Sequence, residues 1–168
     1  AGEQYCAAFA ACYHLETVAL RYFNVFGPRQ DPNSTYAAVI PAFVTRFLRG
    51  ERPIVYGDGG QTRDFCYIDN VVRANLLALQ APKLSGEVVN IGCGERISLN
   101  DVIAVINREL GTNVKADYQP PRAGDVRDSL AAIEAAKRVL NYTPQVLFAE
   151  GLKRSIEWYR ANAGAFSR

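Results

Sequence analysis

An α/β fold with a smaller mixed α/β lobe is the class that this 168-residue sequence predicts. The stretch TVALRYF (17–23) reads as a buried strand and follows an Ala-rich segment with helical spacing. EVVNI (87–91) is a second such strand, and it leads into a helix announced by Ser98 and Asp101. Between them lie RPIVY and TRDFCYI, two short strands separated by glycines, so hairpin-like pairing is expected beside the strand–helix alternation.

In chain order, a helix is expected from Gly2 to Tyr13, then the strand 17–23 and the polar loop NVFGPRQDPNSTY. AVIPAFVTRFLRG reads as a helix ended by Gly50, with Pro41 tolerated only because it falls in the first turn. After the paired strands, Asp69 is expected to cap a helix from Asn70 to about Leu79. The helix introduced by the S-x-x-D box ends at Gly111, and a strand follows near VKADYQP. Two helices close the chain, Leu130 to Leu140 and Phe148 to about Asn162.

Composition narrows the function. With 19 basic and 17 acidic residues the chain has no field that argues for nucleic acid or a membrane surface, while 49% apolar content suits a packed core. Arginine outnumbers lysine 15 to 4, a bias towards the side chain that grips carboxylates and phosphates at two points. Cys6, Cys12, Cys66 and Cys93 lack metal-finger spacing and read as reduced core thiols, and His14 is the sole histidine, which argues against a multi-histidine metal site. There is no 18-residue apolar run and no basic leader, so a cytoplasmic location is expected, with a chain that starts in mid-helix.

Three polar stretches invite a chemical reading. GDGGQTRDF (57–65) lacks the Lys-Ser/Thr pair of a Walker loop, so its glycines are expected to supply positive φ for a hairpin turn between Tyr56 and Arg63. Arg63 opens an apolar strand and needs a partner: either Asp64 or another carboxylate, or an anionic ligand. GCGER (92–96) has Ile97 where a dinucleotide fingerprint needs its third glycine, and reads as a tight strand-to-helix turn. In PRAGDVRDS, Arg122 and Arg127 bracket Asp125, which suits either a charged ligand and a sugar ring or a solvated loop.

The segments RYFNVFGPRQ, YAAVIPAF, IVYGDGGQTRDFCYIDN, VVNIGCG and RAGDVRDS occur in the order seen in the nucleotide-sugar epimerases and dehydratases of the extended short-chain dehydrogenase/reductase superfamily. The chain resembles the C-terminal portion of such an enzyme. That resemblance implies a Rossmann-type lobe for NAD and a smaller lobe for the nucleoside diphosphate sugar. Residues 1–27 would end the Rossmann lobe and 28–168 would form mostly the substrate lobe, with 87–110 returning to the Rossmann lobe. The opening AGEQY resembles the phrase that follows the family's Tyr-x-x-x-Lys, so the catalytic tyrosine, its lysine and the dinucleotide glycines are expected upstream of Ala1, and these 168 residues alone are expected to be inactive.

Residue by residue, the resemblance implies that Tyr22 and Phe23 approach the nicotinamide and that Asn24 hydrogen-bonds the diphosphate. Ala38 and Val39 would contact the nucleotide, Ile54 and Tyr56 would flank the uracil, and Val88 would close the other side. Arg63 and Arg122 resemble the pair that grips the diphosphate, and Asp125 the acceptor for ribose hydroxyls. RQDPNSTYAAVIP is similar to epimerases acting on UDP-N-acetylglucosamine and UDP-glucose, with UDP-glucuronate decarboxylases and 4,6-dehydratases as alternatives, and a non-catalytic binding or structural role as another class. Ser129 stands where hexose-restricted epimerases carry tyrosine, leaving room for an N-acetyl group, although serine there also suits a cap for a helix starting at Leu130. The implied partners are a UDP-sugar and, in the intact enzyme, a second copy in a homodimer.

Overall fold

The computed structural model describes residues 1–32 and 39–163. Helix α1 (Gly2–Tyr13) precedes strand β1 (Val18–Tyr22), which pairs in parallel with β6 (Glu87–Ile91), Val18 opposite Glu87 through Tyr22 opposite Ile91. Parallel pairing needs a crossover, and the intervening chain supplies it. Within that crossover, β2 (Val25–Phe26) pairs in parallel with β5 (Cys66–Tyr67), ahead of α3 (Ile68–Gln80).

The stretch expected to form a hairpin pairs elsewhere. Strand β3 (Ile54–Tyr56) runs parallel to β8 (Asp117–Gln119), and β4 (Thr62–Arg63) runs antiparallel to β7 (Ile97–Ser98). GDGG is still a turn with positive φ, 88° at Gly57 and 73° at Gly59, and Asp58 Oδ1 accepts the Gly60 N–H at 2.9 Å.

Two apolar clusters carry the fold. One packs α2 (Val39–Leu48), α4 (Leu99–Leu110) and α6 (Phe148–Ala161) around Phe26, Val55 and Phe65. The other packs β1, β6, α3 and α5 (Glu134–Leu140), with Val89, Ile91 and Tyr142 fully enclosed. Within residues 87–110, therefore, β6 belongs to the second cluster and α4 to the first. The Ser98–Asp101 capping box forms in both directions, and Gly111 closes α4 at φ 66°.

Two helix starts differ from expectation. Tyr67, not Asp69, occupies the N-cap of α3; Asp69 sits in the first turn, where a carboxylate favours the helix dipole, and pairs with Arg154 Nη1 at 3.4 Å. Helix α5 begins at Glu134 rather than Leu130, so Ser129 caps nothing: its N–H donates to Thr62 O at 3.1 Å, and the next residues are held against β4 instead of coiling. Cys66 and Cys93 are buried and Cys6 is half-buried, but Cys12 is exposed, since α1 buries only Ala10 among its residues.

Candidate substrate site

The chain leaves β1 through Asn24, whose φ of 34° turns it towards an open cavity of about 740 Å³, a size within the range of small-molecule sites. The floor is apolar: Ile40 and Phe43 from α2, with Phe26, Phe65 and Leu99. Ile54 and Tyr56 project from β3 because β8 holds that strand in register. Arg63, Arg122 and Asp125 complete the polar side.

Most of the residues singled out in the sequence meet here. Asn24, Val39, Ile54, Tyr56, Arg63, Arg122 and Asp125 all line the one cavity. Others do not. Val88 lies in β6 opposite Ala19, remote from the lining because its strand belongs to the β1 sheet; Ser129 is half-buried beside Thr62, also outside the lining. Ala38 lies outside the described residues. Tyr22 and Phe23 stand at the carboxyl end of β1, where Rossmann-type sheets receive ligands; the Tyr22 ring is half-exposed with its hydroxyl donating to Asn75 Oδ1 at 3.1 Å, and Phe23 N–H donates to Ile91 O at 3.0 Å.

The polar groups are arranged in pairs. Arg63 Nη2 meets Asp125 Oδ1 at 2.5 Å with the Arg63 side chain only 18% exposed, so the partner demanded by its apolar strand is Asp125, not Asp64. Arg122 lies over the Tyr56 ring, 3.7 Å from its centroid, a cation–π contact. Arg127 forks onto Asp58 at 2.7 and 3.0 Å, and this guanidinium, with the Gly60 N–H, holds the Asp58 carboxyl down at about 2. Asn24 Nδ2 donates to Asp64 O at 2.9 Å.

Two polar lining residues escaped the sequence reading. Arg46, in the last turn of α2, adds a third arginine to the wall; its helical position beside apolar Phe43 and Phe47 was the available signal. Gln61 is buried and ties its Nε2 to Tyr56 O at 2.7 Å, fixing the turn beneath the ring; nothing in QTR distinguishes it beforehand. Among the described residues, no group of three or more His, Cys, Asp or Glu side chains could hold a metal ion, and no helix is long and apolar enough to cross a membrane.

Parallel strands whose carboxyl ends open towards a cavity walled by arginines define an α/β protein of Rossmann type. Comparison with known proteins narrows the class. Residues 1–92 match the NAD dependent epimerase/dehydratase family, and the chain belongs to it. A UDP-glucose 4-epimerase of Mycolicibacterium smegmatis is 35% identical over 160 residues, covering 95% of this chain and 50% of the relative. A UDP-N-acetyl-alpha-D-glucosaminuronate decarboxylase of Bacillus cytotoxicus is 32% identical over 164 residues, covering 94% of this chain and 50% of its own length. Among solved structures, the UDP-glucose 4-epimerase of Thermotoga maritima with UDP-glucose superposes with a TM-score of 0.89 at 42% identity, covering 96% of this chain and 51% of that one. The UDP-N-acetylglucosamine 4-epimerase of Methanobrevibacter ruminantium, in complex with UDP-N-acetylmuramic acid, gives 0.89 at 39%, over 95% and 51%. A UDP-glucuronic acid 4-epimerase of Bacillus cereus, solved with UDP-glucuronic acid and NAD, gives 0.85 at 31%, over 96% and 50%. The chain thus spans about half the length of the relatives it matches.

Proposed function

We propose that this chain supplies the UDP-sugar site of an NAD-dependent 4-epimerase. The observation that carries the reading is the convergence of Arg63, Arg122, Ile54, Tyr56 and Asp125 on one cavity. Arginines on one wall suit a diphosphate, the β3 pair offers an apolar and an aromatic surface to a pyrimidine, and Asp125 is an acceptor placed for ribose hydroxyls. The relatives, mostly UDP-sugar 4-epimerases, support it.

In this reading the sugar extends from the diphosphate towards Asn24 and the carboxyl end of β1, with Tyr22 and Phe23 facing the nicotinamide. NAD held there would supply the acceptor and donor of hydride for C4 of the sugar, with no net redox change. This chain's own residues bind and orient: the arginines hold the diphosphate so that either face of the sugar can be presented to the nicotinamide. The reading also calls for the family's Tyr-x-x-x-Lys pair, a pattern that these 168 residues do not contain. Residues 1–27 with β6 complete the dinucleotide lobe in this proposal, since β6 pairs directly with β1, and α4 goes with the substrate lobe. UDP-glucose or UDP-N-acetylglucosamine is the proposed substrate; a decarboxylase relative makes uronate chemistry the second reading.

Titrating the chain with UDP and following backbone amide shifts tests the assignment. Shifts concentrated at Asn24, Ile54, Tyr56, Arg63 and Arg122 are expected, and shifts scattered elsewhere with these five unmoved would refute it.

A further inference from the structure

Asp64 is the one carboxylate in the described residues that is wholly buried without a cation beside it among its bonded partners. Its charge is met by backbone amides. Oδ1 accepts the Cys93 N–H at 2.8 Å, and Oδ2 accepts those of Gly94 at 2.8 Å and Ala131 at 3.2 Å. A buried carboxylate is tolerated only when such donors replace its hydration, and three charge-assisted bonds do so here. The same residue's carbonyl receives Asn24 Nδ2.

The consequence is geometric. Asp64 ties together four segments: the exit of β1 at Asn24, the β4–β5 junction, the GCG turn after β6, and the extended stretch before α5. The two residues that follow it divide between the two apolar clusters, Phe65 in the first and Cys66 in the second. The first glycine of GCG is required for this reason. A Cβ on Gly92 would stand 2.5 Å from Ala131 Cβ and 2.8 Å from Asp64 Oδ2, so only glycine lets the carboxylate and residue 131 approach the turn together.

We infer that Asp64 is a positioning residue for nucleotide binding: through its three amide bonds it fixes Arg63 and the segment bearing Asp125 at the distance needed to hold the diphosphate. The inference rests on the UDP-sugar reading of the cavity. Arg63 is the residue before Asp64, and Ser129 N–H and Ala131 N–H dock the downstream segment on Thr62 and Asp64 in turn. The base contacts on β3 are held separately, by β8. Loss of the Asp64 bonds therefore loosens the diphosphate end and leaves the base end in place.

Asp64→Asn turns one acceptor into a donor aimed at donor N–H groups, and Gly92→Ala wedges the same contact without changing charge. Hydrogen exchange at the Cys93 and Ala131 amides in the full chain is expected to quicken by about tenfold or more in both variants, with Val102 and Ile106 in α4 still protected. UDP affinity is expected to fall by about tenfold and uridine affinity by clearly less, since uridine uses the ribose acceptor Asp125 but not the Arg63 grip, a split that general unfolding does not give. Equal losses for UDP and uridine, or unchanged exchange at those amides, would overturn the positioning role. Wild-type chain that binds uridine and UDP equally, or neither, would overturn the UDP-sugar reading itself, and the positioning role with it. If Asp64→Asn fails to fold, Gly92→Ala carries the comparison with the same two outcomes.

Discussion

Arg63→Ala separates a ligand-gripping arginine from a structural one. In the structure its guanidinium is held by Asp125 at 2.5 Å, with side-chain exposures of 18% and 40%. A diphosphate must compete with that carboxylate. A hydrogen bond to a charged group contributes about 1.5–3 kcal/mol, and a partly exposed ion pair offsets up to about 1 kcal/mol of it, leaving a net loss of roughly 0.5–3 kcal/mol in the variant. Calorimetry with UDP should then show a Kd raised by about 2- to 150-fold. Asp125→Ala provides the counter-test, since it removes the ribose acceptor but releases Arg63: UDP should bind more weakly and inorganic pyrophosphate more tightly. The double variant should lose less than the sum of the two single losses. Unchanged UDP affinity in Arg63→Ala, or weaker pyrophosphate binding in Asp125→Ala, would refute the reasoning.

Three further expectations follow from individual contacts. Asp58, held at about 2 by Arg127 and the Gly60 N–H, has a depressed folded value, so its contribution to stability is present above the ordinary carboxylate range near 4 and is lost as pH falls from there towards about 2; carbon-detected titration should place its midpoint near the lower figure, and Arg127→Ala should move it upward. Tyr142, fully buried, donates its hydroxyl to Gly92 O at 2.9 Å; Tyr142→Phe strands that carbonyl and should lower Tm by roughly 2–6 °C, whereas an unchanged Tm would show the bond contributes nothing. In an enzyme that includes the rest of the family's fold, Ser129→Tyr should reduce kcat/KM for UDP-N-acetylglucosamine selectively over UDP-glucose if the added bulk beside Thr62 reaches the acetamido group; equal loss of both, or of neither, would remove Ser129 as the gate.

Local signals in this sequence were legible and long-range ones were not. The Ser98–Asp101 box and Gly111 define α4 at both ends because their chemistry is complete within a few residues. The strands at Ile54 and Thr62 were visible as strands, but their partners were not: adjacent β-prone runs flanking a glycine turn suggest a hairpin, and the actual partners, β8 and β7, come from distant chain. Helix α5 starts late for the same reason, since Ser129 and Ala131 give their amides to Thr62 and Asp64 rather than to a helix. At the site, Asn24, Tyr56, Arg63, Arg122 and Asp125, all singled out by motif, line one cavity. Their pairing with one another could not be read from spacing, because the Arg122 contact with Tyr56 and the Arg63 contact with Asp125 depend on how the segment after β8 folds back over β3 and β4. Asp64 was read only as a neighbour for Arg63, when its bonds are to backbone amides that carry no sequence signature.

The central claim is that this cavity recognises a uridine diphosphate, and calorimetric titration of the chain with UDP and with ADP under the same conditions tests it most directly. The account predicts saturable UDP binding at one site, abolished or strongly weakened when Arg63 and Arg122 are both replaced by alanine, with ADP binding markedly weaker because in the proposed reading the β3 pair of Ile54 and Tyr56 takes a pyrimidine. No saturable UDP binding, or equal affinity for ADP, would contradict it.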